Sequence, residues 1–209
     1  ISGAQVNAKS VTVVSADLVY AAAHLGGVLK SQDGGSTWST VNKTLCRKMV
    51  NLATIDNLLK HFEESTPANP AKGIYQLATE WFGPVPDVDS DSRVTILIMD
   101  IDDSYYLAAG DGTYINGYFS PINELPVTDP DYGEHSNARE VIYVDSDPVD
   151  LLDEGPSILA HQIQHLIHYQ QDPDEEIWLN EGLSELAEFL MGYVSPTASF
   201  SFPLSLIHI

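Results

Sequence analysis

A single cysteine, Cys46, is the whole thiol content of the chain, which excludes an internal disulfide and a cysteine-based zinc site. Basic side chains are nearly as scarce: nine Lys and Arg stand against thirty Asp and Glu, a net charge of −21. Such a surface repels phosphates, so nucleic acid and anionic membranes are excluded as partners. No apolar run approaches the length of a membrane span, so no membrane insertion is expected. The chain starts at Ile1 with no signal-like segment, and that start carries no information about compartment. What is present is ordinary for a folded protein: 209 residues, 44% hydrophobic and 19% charged, enough for one domain or one domain plus a fragment.

Residues 11–42 read as short strands with turns, β-branched and apolar runs around a Gly-rich turn. Within them Ser31-Gln32-Asp33-Gly34-Gly35-Ser36-Thr37-Trp38 resembles the Asp-box, S-x-D-x-G-x-T-W, a structural hairpin of sialidase-like propellers and related repeats. Each such repeat must stack on neighbours. One copy therefore implies that residues 1–42 end an array of upstream β-repeat domains. At the other terminus, residues 204–209 read LSLIHI, which resembles the translation of a transposon-end sequencing adapter. These six are expected to be a non-native tail, with the domain in 43–203 truncated before its natural end, so His208 is given no role.

Between these ends the periodicity predicts a helix over 44–64, from Leu45, Met49, Leu52, Ile55, Leu58, Leu59 and Phe62, and a second over 71–82. Pro67 and Pro70 separate them. A buried strand is expected over 93–101, with further strands at 113–119 and 139–145 and helices over 148–170 and 178–192. Helices first, mixed strands next and a long helix after the last strand give an α+β order. Trp81 and Trp178 are expected as core or helix anchors. Asp87, Asp89 and Asp91 have the spacing that opens a calcium loop, but the Gly at the sixth position and the Glu at the twelfth are missing. Ca2+ is therefore the weaker of two readings there, the other being a solvated acidic turn.

The chemistry concentrates in ILAHQIQHLIHYQQDPDEEIWLNEGLSELAEF, residues 158–189. His161 and His165 lie at i and i+4, so both imidazoles leave one face of a helix a turn apart and can take two corners of a zinc tetrahedron. Glu181 opens the next helix after a loop containing Asp172-Pro173 and supplies a third donor. Glu185, four residues on, is placed to accept a hydrogen bond from a ligand histidine, with Glu188 as a less favoured alternative. His168 and Tyr169, one turn past His165, are read as packing residues.

Two histidines at this spacing followed by W-L-N-E-G resemble the gluzincin metallopeptidases, and aminopeptidase N carries a W-L-N-E-G segment of this kind. The nearer resemblance is to the hyicolysin-type secreted bacterial neutral metallopeptidases, strong over 139–193 and looser back to 44. It implies a zincin-like domain with a mixed sheet, an active-site helix and a following helix bearing the glutamate ligand. It further implies Zn2+ on His161, His165 and Glu181, a peptide or protein substrate, and a secreted or cell-surface setting. An extended substrate is expected to pair with strand 113–119 or 139–145. The departure is Gln162. The family has glutamate there, taking a proton from zinc-bound water and passing it to the leaving amine; an amide has no useful basicity. Tyr193 is a candidate contact to the substrate oxyanion. Metal binding is expected to survive and hydrolysis to be impaired. The alternative is a non-catalytic zinc-binding pseudo-peptidase or an extracellular adhesive module.

Overall fold

The computed structural model describes residues 50–101, 103 and 114–194, together with the backbone of four short strands nearer the N-terminus. The chain divides into two compact units, Ile1–Val50 and Asn51–Ile209. In the first, β1 (Ala8–Val13), β2 (Val19–Ala23), β3 (Val28–Ser31) and β4 (Ser39–Thr40) form an antiparallel sheet in sequence order. The turn of the Asp-box, residues 32–38, lies outside the described residues, as do the helix positions 44–49 and the tail 204–209.

The second unit opens with α1 (Leu52–Leu59), capped by Asn51, whose side chain accepts from the Thr54 N–H. It continues as one π-helical stretch, Lys60–Glu64. Next come α2 (Ile74–Phe82), β5 (Thr95–Met99), β6 (Gly117–Phe119) and β7 (Val141–Asp145). Two long helices follow, α3 (Gly155–Gln171) and α4 (Ile177–Met191). The sheet order is β5-β7-β6, with β5 parallel and β6 antiparallel to β7. This is a mixed α+β unit with a small open sheet, compatible with a metallopeptidase domain.

Each strand of that sheet is shorter than its predicted span. β7 is central and buried at all five positions, so of the two strands expected to receive a substrate only β6 is an edge strand among the described residues. α3 begins at Gly155 rather than 148 because side chains compete for the backbone before it: Asp150 accepts from Leu152 N–H, and Glu154 accepts from Asp150 N–H. Pro156 then suits the first helical turn, where its missing N–H costs nothing. α4 ends at Gly192, which adopts φ +86, the left-handed conformation that closes helices and that glycine reaches without strain.

The core lies between the sheet and α3. Ile142, Val144, Leu159, Ile163, Leu166 and Ile167 are fully buried, joined by Ile74 and Ala78 of α2 and Ala187 and Met191 of α4. Each large member contributes about 1.5–3 kcal/mol of burial. Strand β6 crosses α3 so closely that a Cβ on Gly117 would stand 2.6 Å from Ile158 Cγ2 and 2.7 Å from the Tyr143 carbonyl oxygen, and 3.7 Å from Gln162 Cγ. Only glycine allows this edge strand to lie so near Gln162. The tryptophans do not anchor the core: Trp81 is 44% and Trp178 is 73% exposed. The buried positions of α4, Ser184, Ala187 and Met191, recur at helical spacing, and Trp178 falls off that stripe.

Glu124, at the end of a short 3-10 turn (Pro121–Glu124), is buried beside α3, where Gln170 Nε2 donates to it. Burial raises its carboxyl to about 7, and nearby Glu140 adds to the effect. A folded pKa above the ordinary 4.5 favours folding when the group is protonated. That contribution is complete below about pH 4.5 and is lost as pH rises through about 7. Glu124→Gln, which mimics the protonated form, is therefore expected to stabilise the protein by about 2 kcal/mol at pH 8 and by little at pH 4.5. Urea midpoints at the two pH values measure the difference, and equal gains at both would count against a titrating Glu124.

Candidate metal centre

α3 is buried on nearly every side, yet four of its buried residues are polar: His161, Gln162, Gln164 and His165. Buried polar groups of this density require partners, and α4 provides most of them. Residues 172–176 form a short connection, so the two helices double back on one another. His161 Nε2 and His165 Nε2 approach to 3.0 Å, and the Glu181 carboxylate lies 3.3 Å from the first and 3.7 Å from the second. One donor atom from each of His161, His165 and Glu181 falls within 4.8 Å of the others. Among the described residues this is the only group of three or more His, Cys, Asp or Glu side chains gathered in this way.

The far side of each imidazole is held. His161 Nδ1 donates to Glu188 Oε1 at 2.7 Å, and His165 Nδ1 donates to Asn180 Oδ1 at 2.8 Å. Ser184 Oγ stands 3.1 Å from the same His165 nitrogen and donates to Gln164 Oε1. With Nδ1 so occupied, both rings present Nε2 to the cluster, the orientation a metal ligand needs. Burial disfavours a charged His161, but hydrogen bonds to Glu181 and Glu188 outweigh it and raise the ring above the usual imidazole range. His165 is lowered, by burial first and then by the charge of His161. A metal held by these two rings would require His161 to give up the proton that its carboxylate neighbours favour. Two neutral imidazoles and one carboxylate, closely spaced and buried, form the donor set that suits a tetrahedral zinc ion with one open position.

Glu188, not Glu185, meets a histidine of the cluster. In a doubled-back helix pair, moving one turn back along α3, from His165 to His161, moves one turn forward along α4, from Ser184 to Glu188. Glu185 makes no hydrogen bond to either ring among the described residues; burial and neighbouring Glu188 raise its carboxyl. The Tyr193 hydroxyl pairs with His61 Nδ1 at 3.0 Å, two residues past the end of α4. Asp87, Asp89 and Asp91 are not gathered into a cation site among the described residues. Asp91 pairs with Arg93, while Asp89 accepts from the Asp91 N–H and lies 3.7 Å from Arg139. Cations of the chain face those two carboxylates, and the three acids do not converge. Tyr169 packs against Phe119, and His168 lies 3.7 Å from Glu175. Asn180, Ser184 and Gln164 were not foreseen, although Asn180 directly precedes Glu181.

Gln162 is 1% exposed, and its Oε1 has no hydrogen-bond partner. An orphaned buried amide oxygen costs about 1–3 kcal/mol.

The chain is 32% identical over 128 residues to the neutral metalloprotease ShpI of Staphylococcus hyicus, and the match covers 54% of this chain and 27% of that protein. The chain thus aligns with little more than a quarter of that relative's length. No family model matches, and no solved structure matches. The similarity supports a metallopeptidase relationship, and the His-His-Glu cluster fits a metal site.

Proposed function

We propose that residues 43–203 form a zinc peptidase domain of gluzincin type, with His161, His165 and Glu181 as ligands and Gln162 standing where the family has its general base. The observation that carries this reading is the convergence of two Nε2 atoms and a carboxylate, each imidazole backed through Nδ1. The similarity to a neutral metalloprotease supports the same chemistry. Zinc bound there polarises a scissile carbonyl and acidifies its water. The chain's own residues hold the histidines in one tautomer and exclude bulk water. The edge strand β6 offers backbone groups to an extended peptide beside Gln162. With an amide at 162 no side chain is available there to accept the proton from the attacking water, so hydrolysis by the chain as it stands is impaired. The amide in place of a carboxylate at 162 favours a second reading, a zinc-binding pseudo-peptidase. Residues 1–42 fit the end of an Asp-box repeat array, and the acidic composition fits a secreted or cell-surface protein.

Metal analysis after exhaustive dialysis tests the central point. One zinc per chain is the expected result, removed by a chelator and restored by added zinc. A protein that folds and takes up no zinc would overturn the proposal. Among the described residues no helix is long and apolar enough to cross a membrane.

A further inference from the structure

His161 and His165 are supported by different chemistry. Behind His165 stand neutral groups, the Asn180 amide and the Ser184 hydroxyl. Behind His161 stands a carboxylate, Glu188, and that carboxylate is itself tethered. Its Oε1 accepts from His161 Nδ1, and its Oε2 accepts from Ser157 Oγ. Ser157 lies one turn before His161 on α3, so the two donors to Glu188 are four residues apart on one helix face. The three side chains thus make a closed bridge between α3 and α4, with His161 and Glu188 both mostly buried. An untethered glutamate retains three rotatable side-chain bonds; the second hydrogen bond removes much of that freedom before the metal arrives.

Resting on the zinc-site reading above, we propose that Ser157 and Glu188 are a positioning pair that fixes the tautomer and ring plane of His161 for metal binding. The pair touches neither substrate nor the reacting atoms. Glu185, nearer to Glu181 in sequence, has no part in it.

Zinc dissociation constants from chelator competition on the full chain test the pair, using Glu188→Gln, Ser157→Ala, Ser157→Thr and Glu185→Gln. Glu188→Gln is expected to weaken zinc binding about 10–100-fold and Ser157→Ala by roughly tenfold. Ser157→Thr, which restores a hydroxyl, is expected to recover most of that loss. Glu185→Gln, which breaks no hydrogen bond to either histidine but removes a charge felt at His161, is expected to cost clearly less than Glu188→Gln. Because the bridge also joins α3 to α4, the metal-free protein is expected to melt lower in Glu188→Gln, so affinities are compared at a temperature where every variant is folded. Parent-like affinity in Glu188→Gln, an equal loss in Glu185→Gln, or no recovery of affinity in Ser157→Thr would each overturn the proposal. Failure of the parent itself to bind zinc would instead refute the metal-site reading on which the pair depends.

Discussion

Gln162→Glu, with both forms loaded with zinc, is expected to raise cleavage of an unfolded protein such as casein by about 10²–10⁴-fold. Zinc content should not change, because position 162 supplies none of the three donors. The argument is one of basicity. Gln162 has the shape of glutamate and lies on the helix that carries both histidines, one residue past His161. Its amide oxygen can accept a hydrogen bond from water but cannot keep the proton. A carboxylate at the same place can take the proton and return it to the leaving amine. The substitution should also lower the stability of the metal-free protein at neutral pH, since it puts a charge where the side chain is 1% exposed. Equal cleavage by the two zinc-loaded forms would rule out position 162 as the base.

The second large effect concerns metal binding. Glu181→Ala is expected to weaken zinc binding by roughly three orders of magnitude, as zinc-site energies of about 10–16 kcal/mol shared among the ligands imply about 4 kcal/mol for each. It should abolish whatever cleavage the Gln162→Glu form gains. Unlike the histidines, Glu181 lies within 3.3 Å of His161 and 3.7 Å of His165 as their shared anionic neighbour. Removing it also removes a group that keeps His161 protonated, so part of the lost affinity is recovered in easier deprotonation of that ring. Retention of one zinc at parental affinity would show that the third donor lies elsewhere.

The three donors were legible because helical spacing alone brings His161 and His165 together, and because Asn-Glu-Gly after a short loop returns a carboxylate to them. Their supports were not. Which α4 side chain meets His161 depends on how far along α3 the second helix lies, and a shift of less than one turn separates Glu185 from Glu188. The acidic residues 87–91 were ambiguous in isolation, and the arginine that faces Asp89 comes from residue 139, far along the chain. The α+β order could be read from the succession of patterns, whereas the central place of β7 and the edge position of β6 are set by long-range pairing that no local pattern records.

Among the described residues, the three donors and the hydrogen bonds that hold them lie between residues 157 and 188, on two helices joined by a short connection. A bound ion would thus act as a local staple. Joining His165 to Glu181 closes a loop of about 16 residues, for which the length-dependent chain entropy is about 2.5 kcal/mol. Loss of the ion would release that hairpin while leaving the sheet's own pairing intact. The end of α4 and the connection to α3 are where protease nicking and amide exchange should first report that the metal has gone.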